Sequence, residues 1–250
     1  MSELLPLAGR IALVTGATRG IGRASAVALA QSGAHVIAVG RTQGALEELD
    51  DEIAALGGHR PTLVPLNLAN GDGIDTLGYE INERHRRLDI LVHAAAMLGG
   101  LWPVSNIPPK LWDQIIATNI SAAYRLIRAM EPLLRRSEAG RALFLTTGQG
   151  IRKRAFWGGY AASKSALDTL VRCWADEIEH TKIRAVIIDP GVMRTRMRAQ
   201  AFPGEDPATL ADPAEIGPMI VAYAAAADLG LPDEAVRFRE WRAAKAPAST

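Results

Sequence analysis

The chain has 250 residues, a hydrophobic fraction of 48%, a charged fraction of 22% and a formal net charge of +1. This length is enough for one α/β domain whose core needs no metal or disulfide support, and the near-balanced charge gives no reason to expect nucleic acid or an anionic membrane as a partner. A single cysteine, Cys173, excludes an intrachain disulfide and fits a reducing compartment. With no activating histidine beside it in sequence, Cys173 reads as a small core residue of a helix. Met1 to Arg10 has no charged start followed by an apolar stretch, so no secretory signal is expected. Ile216 to Ala227, the most apolar run, is too short to span a bilayer. The expectation is a soluble, cytoplasmic protein in which residues 1–250 form a single domain.

In chain order, Arg10 to Thr15 is a short run rich in Ile, Leu and Val, the pattern of a buried parallel strand. It stops at Thr15-Gly16-Ala17-Thr18-Arg19-Gly20-Ile21-Gly22, and a helical pattern follows through Ala24, Val27 and Ala30. Gly16 permits a sharp turn, while Gly20 and Gly22 let backbone and helix approach a ligand phosphate with no side chain in the way. Unpaired N–H groups and the positive end of the helix would then face the anion. Glycines also punctuate ordinary strand-to-helix turns; the strand before and the helix after favour the phosphate reading.

His35 to Val39 is the second strand, closed by Gly40-Arg41-Thr42. In a dinucleotide fold an acidic residue near this point would bind the adenosine ribose hydroxyls, whereas an arginine can pair a 2′-phosphate. Arg41, with Arg19 from the glycine loop, therefore favours NADPH over NADH, and Arg41 is the better candidate. Thr42 can cap a helix that runs to Leu56 and ends at Gly57-Gly58. Thr62 to Leu66 is a third strand. Asn67 and Leu68 follow it, and Asn67 could meet the adenine edge or merely satisfy its own turn.

A helix from Gly73 to Arg87 leads to the fourth strand, Leu88 to Val92, and then to His93-Ala94-Ala95-Ala96, whose small residues leave room for a flat cofactor. His93 reads as a satisfied structural group, because nothing near it in sequence suggests a metal or nucleophile partner. Met97 to Pro109 is a shaped loop able to wall a substrate pocket. A helix from Lys110 to Arg136 contains Asn119. Ala142 to Thr146 is the fifth strand, ending at Thr147-Gly148, and Ile183 to Ile188 the sixth, ending at Asp189-Pro190-Gly191. Strands alternating with helices, without repeat or linker, predict an α/β fold: a doubly wound (Rossmann-type) parallel sheet of six to seven strands with helices on both faces.

Between the last two strands lies Gly158-Gly159-Tyr160-Ala161-Ala162-Ser163-Lys164, opening a helix to Glu179. Residues four apart share a helix face, so a phenol sits one turn from an ammonium. A nearby cation would lower the phenol pKa from its free value of ~10. Taken alone, the spacing equally fits a packed aromatic over a solvated lysine.

The ordered set of glycine loop, Tyr160 and Lys164, and Asp189-Pro190-Gly191 followed by Thr195 resembles the short-chain dehydrogenase/reductase family, from about Arg10 to the Met197 region. Closer in, the segment from Met197 to Pro207 and His93 resemble a bacterial oxidoreductase subgroup of unassigned substrate. The resemblance implies that Tyr160 exchanges a proton with the substrate oxygen during hydride transfer between a carbonyl and a secondary alcohol. Lys164 would depress the Tyr160 pKa and bind the nicotinamide ribose, Thr147 would polarise the carbonyl where the family usually has serine, and Asn119 would hold a water in the proton relay. The cofactor, NADP, would touch Gly16, Thr18, Arg19, Gly20, Ile21, Gly22, Arg41, Asn67, Leu68, Ala94, Ala95, Lys164, Pro190, Gly191 and Thr195.

Two departures stand out. His93-Ala94-Ala95-Ala96 replaces the family's usual Asn-Asn-Ala-Gly, and the C-terminus lacks a clear seventh strand, since Asp233 to Ala244 reads as a charged amphipathic helix. Residues 193–212 lie where the family carries a substrate lid. Arg194, Arg196, Arg198 and the cluster Arg152-Lys153-Arg154 read as solvated surface or, more sharply, as a draw for an anionic or carrier-linked carbonyl substrate. A homodimer or homotetramer on the helices around Asn119 and Cys173 is implied by the resemblance only. The rival readings are a cofactor-binding sensor or scaffold without turnover, and a non-redox isomerase or dehydratase on the same fold. The Thr147, Tyr160 and Lys164 set favours redox catalysis over a pure binder.

Overall fold

The computed structural model describes residues 5–147, 154–227 and 235–245. Among them, seven strands form one parallel sheet in the order β3-β2-β1-β4-β5-β6-β7. These are β1 (Ile11–Thr15), β2 (His35–Gly40), β3 (Thr62–Pro65), β4 (Ile90–His93), β5 (Arg141–Leu145), β6 (Arg184–Asp189) and β7 (Val236–Arg237). The central strands are buried on both faces, as β1 (Ile-Ala-Leu-Val-Thr) and β4 (Ile-Leu-Val-His) show, which is why they read as apolar runs rather than alternating ones.

The connecting helices are α1 (Gly20–Gln31), α2 (Gln43–Ala55), α3 (Gly71–His85), α4 (Pro109–Ile116), α5 (Ala122–Leu134), α6 (Gly158–Glu177), α7 (Arg196–Ala201), α8 (Gly217–Ala225) and α9 (Phe238–Lys245). They divide between the two faces. One core joins Leu29, Leu46, Leu49 and Ile220 to the sheet through Val14 and Val92, and the other joins Ile74, Leu126, Leu167 and Trp174 to it through Leu13, Leu91 and Phe144. Two arginines close the lower edge around α8: Arg10 donates to Ala224 O at 2.8 Å, and the buried Arg141 donates to Ala226 O at 2.7 Å, satisfying carbonyls that a helix end leaves free.

Four expectations change. β7 exists as a two-residue strand pairing Val236 with Ile188 and Arg237 with Asp189, and the C-terminal helix begins only at Phe238; Asp233 lies outside the described residues. Thr42 precedes α2 but makes no side-chain cap hydrogen bond. The helix expected over 110–136 is α4 and α5 joined by a π-helical turn, Ala117–Ser121, with Asn119 in the turn. Cys173 is exposed, because the buried stripe of α6 runs through Leu167, Val171 and Trp174 and leaves position 173 off it.

Candidate active site

Because the strands are parallel, Thr15, Gly40, His93, Leu145 and Asp189 all end at one edge of the sheet, outside which ligands bind in open α/β folds. The glycine loop is packed to the limit there. A Cβ on Gly22 would run into the Gly16 carbonyl, one on Gly16 would lie 2.9 Å from the Ala95 backbone, and Gly20 adopts φ +55° with Thr195 Cγ2 3.3 Å from where its Cβ would stand. Thus Gly16 needs a small, close neighbour at Ala95, and Gly20 faces Thr195. The backbone cradle that a nucleotide phosphate requires is present.

Ala94 and Ala95 hang on Thr15: Ala94 N donates to Thr15 O at 3.3 Å and Ala95 N to Thr15 Oγ1 at 3.5 Å. His93, 1% exposed, shares a 2.9 Å hydrogen bond between Nδ1 and Thr15 Oγ1. Burial first, and the nearby Lys164 ammonium second, push its pKa down to about 3, so the ring is neutral. The structure bears out a packed, neutral His93 but not the fully satisfied one expected. It braces β4 against β1 at the segment where the usual asparagine is missing, and its buried Nε2 has no hydrogen-bond partner among the described residues.

Asn119 is fully buried in the π-helical turn, a feature found at functional sites because it re-aims a side chain. Its Oδ1 accepts from Met97 N at 2.7 Å, and its Nδ2 donates to Met97 O and to Ser163 Oγ, each at 2.9 Å. Ser163 Oγ in turn donates to Tyr160 O at 2.8 Å. Asn119 therefore pins the loop after β4 to the first turn of α6. Ser163, one turn from Tyr160, had no role assigned from sequence; its position between two reactive-looking residues was the available signal.

Tyr160 and Lys164 are buried on the same face of α6 as expected, at 7% and 4% exposure. Their electrostatics differ from expectation. Burial, reinforced by the Asp189 carboxylate, pushes the Tyr160 phenol up to about 12 instead of down. Lys164 Nζ donates to Leu145 O at 2.7 Å, next to the Thr146-Thr147 end of β5, and burial lowers its pKa to about 8. Asp189 Oδ1 accepts from Gly191 N at 3.0 Å, which shapes the turn through the buried Pro190. Thr147 lies half-buried just past β5, and its neighbour Gly148 is outside the described residues, as are Arg152 and Lys153.

Above Tyr160 sits an apolar wall of Leu98, Trp157, Met197, Ala201 and Phe202. The Trp157 ring meets Tyr160 edge-on at 6.0 Å and lies tilted against Phe202 at 5.8 Å, and the guanidinium carbons of Arg198 and Arg154 stand 3.6 and 4.7 Å from the Phe202 ring centroid. Trp157 and Leu98 were not singled out from sequence, although an Ala-Phe-Trp-Gly-Gly run directly before Tyr160 flags aromatic cover. Phe156 carries φ 72°, a strained conformation for a bulky residue, and its carbonyl accepts from Trp102 N at 3.0 Å.

At the other end of the cradle, Arg19 and Arg41 are exposed and have no acidic partner among the described residues. Partial burial lowers the Arg19 pKa, and the positive charges of Arg196 and then Arg41 lower it further. Asn67 Oδ1 accepts from Ala69 N at 3.2 Å, the self-satisfied turn, while Leu68 is buried. Among the described residues no group of His, Cys, Asp or Glu could hold a metal ion, and no helix is long and apolar enough to cross a membrane.

The sequence model of the short chain dehydrogenase family matches residues 10–206. The chain is 39% identical over 212 residues, 84% of each protein, to the uncharacterized oxidoreductase YciK of Escherichia coli. It superposes with a TM-score of 0.89 on a short chain dehydrogenase from Pseudomonas syringae, 38% identical, covering 95% of this chain and 97% of that one. A short chain dehydrogenase from Shigella flexneri complexed with NADP, also 38% identical, matches with a TM-score of 0.84 over 89% of this chain and 93% of its own. With the glycine cradle, the parallel sheet and the buried Tyr160 and Lys164 on one helix face, these matches establish that the chain belongs to the short chain dehydrogenase family of oxidoreductases.

Proposed function

We propose that the protein is an NADP-preferring oxidoreductase that interconverts a carbonyl and a secondary alcohol by hydride transfer, with Tyr160 as the acid/base. The observation that carries this reading is the buried Tyr160 and Lys164 pair, braced through Ser163 by Asn119 and set beside a glycine cradle that a single Cβ would fill. A bound nicotinamide cofactor would supply the hydride in carbonyl reduction or accept it in alcohol oxidation.

The chain's own residues do the rest. With its pKa near 12, Tyr160 keeps its proton at neutral pH and is ready to donate it to a carbonyl oxygen as negative charge develops there. Thr147, just past β5, offers a hydroxyl to polarise the same oxygen. Lys164, cationic below pH about 8, holds its ammonium at the end of β5 and is available to a ribose hydroxyl. Asn119 acts by positioning, because its side-chain amide is committed to Met97 and Ser163.

NADP preference rests on Arg41 and Arg19, two unpaired cations at the carboxyl ends of β2 and β1 where an adenosine 2′-phosphate would lie. The NADP in the Shigella flexneri relative is consistent with it. Segment 193–212 is read as the lid: it is closed at its base by the Met193 and Ala211 bridge and by Arg194 N donating to Ala211 O at 2.8 Å, and its Phe202 covers the Tyr160 side. The apolar wall suits a hydrophobic carbonyl compound. Arg154, stacked on Phe202 at its rim, offers a positive charge to an anionic or carrier-linked one, whereas Arg194 and Arg198 are already paired with Asp212 and Glu205. The exposed face carrying Tyr124 and Cys173 is the proposed homo-oligomer surface.

The test is consumption of reduced cofactor by the purified protein over a panel of acidic and neutral carbonyl compounds. Carbonyl-dependent oxidation of NADPH, faster than that of NADH, is expected. Cofactor binding without turnover of any carbonyl would instead favour a sensor or scaffold.

A further inference from the structure

The segment after Pro190-Gly191 carries three arginines at alternate positions, and their surroundings differ. Arg194 is ion-paired with Asp212, and Arg198 is held by Glu205 through two contacts of 2.5 and 2.6 Å. Arg23, on the first turns of α1, is likewise held by Glu52 at 2.5 Å. Arg196, exposed at the start of α7, has no acidic partner among the described residues. Its neighbour Thr195 packs directly on the glycine loop, with Cγ2 3.3 Å from the Cβ position of Gly20, the residue after Arg19.

Resting on the NADP reading above, we infer that Arg196 is a specificity-determining residue that contributes a third guanidinium to the adenosine 2′-phosphate site, from the lid segment. The contact of Thr195 with Gly20 sets Arg196 beside the loop that carries Arg19, and exposed guanidinium groups that have no acidic partner among the described residues are best stabilised together by a polyanion. Arg196 lowers the Arg19 pKa more than Arg41 does, in agreement with that arrangement. A phosphate dianion has three acceptor oxygens and can engage more than one guanidinium fork.

The test is titration of 2′,5′-ADP and of 5′-AMP, which differ only in the 2′-phosphate, into wild-type protein and into Arg196→Ala and Arg196→Lys variants by calorimetry. Arg196→Ala is expected to weaken 2′,5′-ADP at least about tenfold, the scale of one charge-assisted contact, while leaving 5′-AMP unchanged. Arg196→Lys should fall between, because an ammonium keeps the charge but loses the fork. Undiminished 2′,5′-ADP binding, or an equal loss for both nucleotides, would overturn the assignment; the latter would put Arg196 on the 5′-phosphate. If the wild-type protein itself binds the two nucleotides equally, the NADP reading falls first and takes this inference with it.

Discussion

The two ends of the cleft are built on opposite principles. At the Tyr160 end the functional groups are buried and held from within the protein: Asn119 is saturated by Met97 and Ser163, Lys164 donates to Leu145 O, and His93 Nδ1 shares a hydrogen bond with Thr15. At the Arg19 end the groups are exposed, and Arg19, Arg41 and Arg196 have no acidic partner among the described residues. The first end is held in place by internal hydrogen bonds, as proton transfer demands of groups that must keep their positions. The second is electrostatically incomplete, as binding of a charged ligand demands. Substitutions at the first should therefore change chemistry and stability, and substitutions at the second should change affinity and cofactor choice.

The largest effect expected is at Tyr160. Tyr160→Phe removes the proton donor while keeping the ring that packs on Trp157, so carbonyl turnover should fall roughly 10²–10⁴-fold, the range for loss of a general acid. Steady-state kinetics with a reducible carbonyl checks this; turnover within a few-fold of wild type would break the proposed chemistry.

Next is Lys164, whose folded pKa of about 8 lies below its free value of 10.5. Burial therefore costs stability wherever the lysine is protonated. The cost is full below pH about 8 and is relieved as pH rises toward 10.5, where the unfolded chain also becomes neutral. Wild-type stability should gain up to about 3 kcal/mol across that window relative to Lys164→Met, an upper bound from the size of the shift. Urea denaturation of both proteins from pH 7 to 10 gives the difference, and parallel curves would show that Lys164 is solvated.

At the other end, Arg41→Ala should weaken NADPH binding about tenfold or somewhat more and leave NADH nearly unaffected. Fluorescence titration of the two reduced cofactors resolves the case, and a uniform loss would move Arg41 off the 2′-phosphate. A further effect, on stability rather than on binding, is expected at His93. Its folded pKa of about 3 lies below the free value of 6.5, so the unfolded chain takes up a proton that the folded one refuses as pH falls between those values. Stability present above pH 6.5 is lost through that window with a slope of at most about 1.4 kcal/mol per pH unit. His93→Asn should flatten the acid limb by that amount, and an unchanged limb would mean that the imidazole can protonate in place.

The parts legible in sequence were those fixed by local pattern. The runs expected from Arg10, His35 and Leu88 became the strands that begin at Ile11, His35 and Ile90, and the glycines at 16, 20 and 22 became the cradle. β7 was not legible, because two residues at a sheet edge carry no periodicity. Cys173 was misread as core because composition ranks cysteine among buried residues, whereas its angular position on α6 decides its exposure. The spacing of Tyr160 and Lys164 gave the shared face correctly. It could not give the depth of burial, the Asp189 carboxylate nearby, or the carbonyl of Leu145 that holds the ammonium, and these set the two pKa values. Arg19 and Arg41 were paired from sequence, whereas the contact of Thr195 with Gly20, which sets Arg196 beside that loop, comes only from the tertiary fold.

The contrast between the two ends is tested most directly by one crossed measurement: NADPH affinity and carbonyl turnover at saturating NADPH, in Tyr160→Phe and Arg41→Ala side by side. The account predicts that Tyr160→Phe binds NADPH like the wild type and does not turn over, and that Arg41→Ala binds it weakly but turns over normally once saturated. Loss of both properties in both variants would contradict it.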